Sequence, residues 1–198
     1  MGWNVNIEVK RSEVHGSGVF AAEPISAGTK VWQFDRSMHV CTRATMARLE
    51  PSTLSQALNA GYVHEPSELF LWYTDGMQFL NHADGRDANV GLHYWPRLTD
   101  DHIVALRDIA PGEELCEDYR NCLRAGLAPD HWLAPFYRVF SPAHYRFLLG
   151  LFGLAEPSYP VAVMALEGGA KLRRVATSAS RKTGFERTAP NPQARQAA

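Results

Sequence analysis

The sequence predicts a β-rich α+β domain of several short strands, with one inserted helical segment and further helices near the C-terminus. Three observations carry that expectation. Short runs rich in β-branched and aromatic residues recur between Gly, Pro, Asp and Asn. Helix signals occupy only two regions. The strand–helix–strand alternation of a parallel α/β fold is absent.

Taken in order, Val5, Ile7 and Val9 alternate with polar residues, the pattern of a half-buried strand. Further strands are expected at KVWQF (30–34), LFLWY (69–73), VGLHYW (90–95) and IVALRDI (103–109). In TRATMARLEPSTLSQALNAG (42–61), Thr53 and Gln56 have capping-box spacing and Gly61 offers a stop. Pro51 divides this helix from a shorter one before it. In SPAHYRFLLGLFG (141–153), Ser141 stands at the N-cap and Pro142 at the first helical position. Tyr145, Leu148, Leu149 and Phe152 then share one face. A weak internal echo links PISAGTKVW (24–32) with DIAPGEELC (108–116), and two similar glycine turns account for it.

Composition narrows the function classes. A chain of 198 residues can bury one core, and 45% hydrophobic with 21% charged residues is ordinary for a globular protein. A net charge of −1 argues against a molecule that binds nucleic acid through its overall charge. Cys41, Cys116 and Cys122 are too few and too irregular for a disulfide framework, which fits a reducing compartment. MGWNVNIEVK lacks the apolar core of a secretory signal, and Asn6 stands where a myristoylation signal wants Ser or Thr. The longest apolar run, 147–155, is nine residues and too short for a bilayer. The expectation is a soluble, cytoplasmic protein without a membrane partner. Residues 1–155 are expected to form the domain and 156–198 a flexible basic tail. Residues 171–198 hold seven Lys and Arg against Glu186 alone, which offers at most a weak contact to nucleic acid.

The chemistry starts at VHGSGVFAAEP (14–24), whose GxGxxA spacing is that of a turn cradling a dinucleotide. A dinucleotide fold needs a helix directly after the glycines, because the helix N-terminus carries the pyrophosphate. Pro24 and the following SAG leave no room for that helix before the strand at Lys30. Asp35 as a ribose acid lacks the same context. Standing alone, the stretch is a hairpin or bulge using glycine for positive φ.

It does not stand alone. FLNHADGRDAN (79–89) and RDIAPGEELCEDY (107–119) follow it. Read with HGSGVFAAEPISAG, these stretches resemble the SET-domain family of protein-lysine methyltransferases in the order and spacing of all three motifs. The resemblance runs from about residue 5 to residue 122. It implies that S-adenosyl-L-methionine lies against the backbone of Gly16, Ser17, Gly18 and Val19. It further implies that Asn81 and His82 hold the cofactor's amino-acid end and adenine, and that Tyr119 is the active-site tyrosine. The implied partner is a protein or peptide carrying the target lysine. No metal is implied. From the residues alone, Asn81-His82 fits an Asn-capped turn, Glu113, Glu114, Glu117 and Asp118 fit a solvated acidic run, and Tyr119 fits a core or rim position.

The chain also departs from the family pattern. Ala83 follows the Asn-His pair where Ser or Cys is usual, and Ala88-Asn89 comes two residues late for the Pro-Asn pair. Phe34 replaces the usual Tyr of an EY-like position, and Cys122 has no cysteine after it to build a zinc cluster.

The implied reaction is direct methyl displacement by a neutral lysine amine. Neutralising a lysine of pKa about 10.4 at pH 7 costs about 4.6 kcal/mol, which a cationic sulfur and a dry channel reduce. Aromatic walls for that channel are expected from Tyr73, Trp132, Phe136, Tyr137 and Phe140, although core packing alone also accounts for such residues. Two other functions compete. One is a catalytically weak or inactive SET-like module that binds a peptide or protein partner. The other is a metal hydrolase using His82, Asp84, Asp87 and His93, whose spacing matches no standard ligand set.

Overall fold

The computed structural model describes residues 2–35, 38–93 and 96–156, together with the backbone of Met164–Glu167 and Lys171–Arg174. Ten strands precede the C-terminal helices. They are β1 (Ile7–Arg11), β2 (Ser17–Ala21), β3 (Lys30–Gln33), β4 (His39–Cys41), β5 (Gly61–His64), β6 (Leu69–Trp72), β7 (Asn81–His82), β8 (Val90–His93), β9 (His102–Ala105) and β10 (Glu114–Glu117). The helices are α1 (Arg43–Met46), α2 (Pro51–Asn59), α3 (Ala134–Phe140) and α4 (Pro142–Leu151). Each of the five expected strand regions contains a strand, although β1 is shifted to Ile7–Arg11 and β9 stops at Ala105, short of the expected end at Ile109. Tyr94 and Trp95, from the expected run at 90–95, lie outside the described residues.

The large sheet runs β1-β2-β10-β8-β9-β3, with the two-residue β7 also paired to β10. The central strand is β10: Leu115 opposes Val19 of β2, Cys116 opposes Asn81, and Glu117 opposes both His82 and Val90. The acidic run is therefore a buried strand rather than a solvated one, with Glu117 only 5% exposed. The glycine stretch is also a strand, β2, pairing with β1 from Ile7↔Ala21 to Arg11↔Ser17. The edge position of β1 explains why it is less buried than its alternation implies. Val9 is 43% exposed, and Lys10 lies over the Phe20 ring at 4.3 Å.

A second sheet, β4-β6-β5, divides two apolar cores. Strand period 2 sends Leu71 and Tyr62 into the core of the large sheet, with Trp32, Val19, Ile103 and Leu115. It sends Phe70 and Val63 into the other core, with Leu54, Leu58, Leu127, Tyr145 and Leu148. Both faces are covered, so these strands are near-continuously apolar. Burying Phe70 or Leu71 stabilises the fold by roughly 1.5–3 kcal/mol each.

Two helix details depart from expectation. Helix α2 starts at Pro51 with Glu50 as N-cap, so Thr53 and Gln56 lie inside it. Proline's fixed φ and missing N–H suit the first helical turn and start the helix early. The reciprocal capping box belongs to α1, where Thr45 N–H donates to Thr42 Oγ1 at 3.2 Å and Thr42 N–H to Thr45 Oγ1 at 2.7 Å. Ser141 does stand at the N-cap of α4, but its hydroxyl donates to Asn59 Oδ1 at 2.7 Å, tying α4 to α2. The expected apolar face of α4 is buried through Tyr145, Leu148 and Leu149, with Phe152 packed at its margin.

The internal echo is a structural pairing. Ile25 and Ile109 exchange both backbone hydrogen bonds, at 3.0 and 2.8 Å. Gly28 N–H donates to Ala105 O at 2.8 Å, and Gly112 N–H to Ala21 O at 2.7 Å. Both glycines have left-handed φ, +78° and +79°. Most of the basic tail expected over 156–198 lies outside the described residues; within it, the backbone of Met164–Glu167 pairs antiparallel with that of Lys171–Arg174.

Candidate active site

The three motifs meet around β7 and the end of β10. Gly16 enters β2 with φ +53°, and a Cβ there would have no heavy atom within 4 Å, so its outer face is open. Gly18 has the opposite requirement, because a Cβ would collide with the Glu114 carboxylate. Val19 is fully buried between Val9 and Leu115, leaving only its backbone to face a ligand.

Asn81 anchors this turn. Its Nδ2 donates to Ser17 O at 3.1 Å, His15 O at 3.2 Å and Glu114 Oε1 at 2.7 Å, one N–H being shared. Glu114 Oε2 in turn accepts from Ser12 Oγ at 2.9 Å. The amide is thus engaged by the glycine turn itself.

His82 and Tyr119 are adjacent, with ring centroids 5.2 Å apart. Tyr119 N–H donates to His82 Nδ1 at 3.2 Å, which places the ring proton on Nε2. Glu117 O, 3.3 Å from the same nitrogen, then lies beside a lone pair rather than a donor. His82 Nε2 is buried and has no hydrogen-bond partner among the described residues. Asp84 Oδ1 is 3.4 Å away, without hydrogen-bond geometry. The Phe147 ring lies edge-on at 6.4 Å and is 49% exposed.

Tyr119 follows β10 directly, and its hydroxyl donates to Leu80 O at 2.5 Å. Burial, then Cys122 and Glu117, push its pKa well above the ordinary tyrosine value, so the phenol stays protonated. Behind it lies a cavity of about 50 Å³ at the junction of the two cores. Tyr62, Tyr73, Leu80, Glu117, Tyr119 and His144 are among its walls. Tyr73 lines the cavity as expected, but Phe136 and Tyr137 are spent on the second core, with Trp132 and Phe140 against it. Burial lowers the His144 pKa to about 4.

Below the site, Arg120 donates to both carboxylate oxygens of Asp118, at 2.8 and 2.7 Å, and reaches Asp84 at 3.0 Å. Arg120 and backbone N–H donors hold the Asp118 pKa down to about 2. This clamp fixes the loop between His82 and Tyr119. Among the described residues no three His, Cys, Asp or Glu side chains gather as a metal-binding group.

The model for the SET domain matches residues 16–120. The chain belongs to the SET-domain family. Solved structures similar to this chain include three at low identity. One is a candidate histone methyltransferase of Plasmodium falciparum, with 18% identity over 59% of this chain and 94% of that one, TM-score 0.41. Another is the Neurospora SET-domain histone lysine methyltransferase DIM-5, with 21% identity over 60% of this chain and 53% of that one, TM-score 0.45. A third is a humanized Chaetomium thermophilum Polycomb Repressive Complex 2, with 22% identity, 60% and 16% coverage, and TM-score 0.47. The SET chain thus spans about half of the Neurospora chain and a sixth of the Polycomb chain. No curated protein matches it significantly.

Within this SET domain all seven site residues expected from sequence share one region. Glu117 and His144 were missed as cavity residues. Glu117 was hidden in an acidic run, and no local signal sets His144 apart from the helix around it.

Proposed function

We propose that this SET domain is an S-adenosyl-L-methionine-dependent protein-lysine N-methyltransferase. The observation that carries the reading is the Tyr119 hydroxyl, fixed on Leu80 O in the wall of a cavity, with His82 packed against the Tyr119 ring and Asn81 holding the glycine turn. The residues fit the cofactor: Gly16 presents an open face, and His82 Nε2 is a buried donor awaiting an acceptor. Such an unsatisfied buried group costs about 1–3 kcal/mol, which a ligand acceptor relieves. Backbone from Gly16 to Val19 would hold the ligand, with Asn81 fixing the turn and His82 donating from Nε2. When bound, S-adenosyl-L-methionine supplies an electrophilic methyl on a sulfonium.

The protein's own groups do the rest. Tyr119 and Leu80 O orient the lysine amine, and the phenol needs no ionisation for that. Tyr62 and Tyr73, which stack at 5.5 Å, wall the cavity and suit a cationic amine and its methylated product. Exclusion of water lowers the lysine pKa toward the neutral form.

The test is transfer of labelled methyl from the cofactor into a protein lysate, with the modified residues identified by mass spectrometry. Methyl-lysine made by wild type and strongly reduced in Tyr119→Phe supports the reading. Cofactor binding without transfer to any protein overturns it and favours a peptide-binding SET module.

A further inference from the structure

We propose that Glu117 is the proton acceptor for the substrate amine, the group that converts an arriving ammonium into the neutral nucleophile. The inference rests on the lysine-methylation reading and adds a catalytic residue to it.

The placement is specific. Glu117 is the one carboxylate among the residues lining the cavity, and it shares that wall with Tyr119, Leu80 and Cys122. Its residue is 5% exposed, and Oε1 accepts from Leu92 N–H at 2.9 Å, which fixes the carboxyl on the central strand. The groups facing it are the Leu92 N–H from β8, the Cys122 thiol from the following turn, Asp118 beside it in the chain, and Tyr119. None of these is a cation. A buried carboxylate without a cationic partner is costly, and an ammonium in the cavity is the group that compensates it.

The other titratable groups of the cavity cannot take the proton. The phenols of Tyr62 and Tyr119 and the Cys122 thiol are all driven upward by burial and stay protonated. His144 is driven down to about 4, so it is a weak acceptor at neutral pH. Burial raises Glu117 to about 7, with its hydrogen bonds from Leu92 and Cys122 opposing. A carboxyl that titrates near the working pH accepts and releases a proton with equal ease.

In the step, one N–H bond of the lysine ammonium breaks and an O–H bond forms on Glu117. The nitrogen keeps the electron pair. The proton leaves Glu117 for water once the product withdraws.

The experiment compares the full chain with Glu117→Gln, which keeps the acceptor for Leu92 N–H, and with Glu117→Asp. In the ligand-free protein, carboxyl carbon NMR of labelled glutamate is expected to show one resonance titrating near pH 7, absent from Glu117→Gln. Methyl transfer by Glu117→Gln should fall roughly ten- to a hundred-fold at pH 7, the usual span of a proton-transfer role. The deficit should close toward pH 9.5, where more of the substrate lysine, pKa about 10.4, arrives neutral. Glu117→Asp should retain a titrating limb at reduced rate. Equal rates and equal pH profiles for wild type and Glu117→Gln, or no glutamate titrating between about pH 6 and 8, would overturn the proposal while leaving methyl transfer intact. Absence of transfer by wild type as well would remove the methylation reading, and the proposal with it.

Discussion

Segments 17–33 and 101–117 are two copies of one backbone device that carry different cargo. In each, a strand runs into an isoleucine–glycine turn and out into a second strand. Ile25, Gly28 and Val31 match Ile109, Gly112 and Leu115 at identical spacing. The pairing is reciprocal: β2 before the first turn binds β10 after the second, and β9 before the second binds β3 after the first. The β3·β9 pair holds Trp32 and Ile103, both at most 1% exposed, and serves the core. The β2·β10 pair holds the glycine turn, Glu114 and Glu117 and leads to Tyr119. The contrast is sharpest at one position, where Gln33 is exposed and its counterpart Glu117 is buried. Backbone symmetry supplies the frame, and the residues of the candidate site lie on or beside the β2·β10 pair.

Substitutions test that division, from the largest expected effect to the smallest. Tyr119→Phe touches only the chemical pair. Turnover should fall roughly ten- to a thousand-fold with cofactor affinity little changed, because one orienting hydroxyl is lost. Single-turnover kinetics and calorimetry separate the two quantities, and unchanged turnover would remove Tyr119 from the site.

Stability against pH tests whether Glu117 differs physically from Gln33. An unfolded glutamate titrates near 4.5 and the folded Glu117 near 7, so between those values the folded state binds more protons. Stability is full below about 4.5, falls as pH rises toward 7, and stays low above it. Glu117→Gln, which makes the two halves alike here, should stabilise the protein at pH 8 by up to about 3 kcal/mol and change little at pH 4. Denaturant unfolding at the two pH values decides it, and an equal effect at both would contradict the burial argument.

Asn81→Ala unties the glycine turn from β7. Cofactor affinity should weaken about ten- to a hundred-fold, from the roughly 1–3 kcal/mol of lost hydrogen bonding. Titration calorimetry on folded protein reads this directly, and unchanged affinity would mean that the turn holds its shape without Asn81.

Gly28→Ala and Gly112→Ala probe the shared device. Neither added methyl meets an atom within 4 Å, so each isolates the cost of left-handed φ, about 1–2 kcal/mol. Equal losses in urea unfolding would support the equivalence of the turns, and a difference above about 1 kcal/mol would break it. Asp108→Ala should act on one turn only. Its carboxylate accepts from Ala27 N–H at 2.8 Å, whereas the corresponding position in the other turn is Pro111, which has no N–H.

How much of this was legible depends on whether the signal was local. The strand positions and the N-cap Ser141 follow from short-range pattern. The three motifs named residues that the fold brings together, because their order along the chain is itself a signature. The echo was visible, but sequence cannot reveal that Ile25 and Ile109 bond to each other rather than merely resemble each other. The burial of Glu117 and the half-burial of Glu114 were hidden for the same reason. Glu114 and Glu117 look solvated until Ser12 and Asn81 are seen to bond the first and Leu92 the second, all distant in sequence. The Thr53–Gln56 capping box failed where two local signals competed, because Pro51 claimed the helix start.

The reciprocal pairing also sets a timetable for biosynthesis. β2 can pair with β1 at once, but its other edge waits for β10, and β3 waits for β9. At a ribosomal rate of about 5–20 residues per second, the glycine strand and Trp32 wait several seconds with unsatisfied edges. Exposed strand edges of that kind invite pairing with other chains. A ribosome stalled before residue 114 would release a chain in which β2 and β8 lack the central strand β10 that joins them.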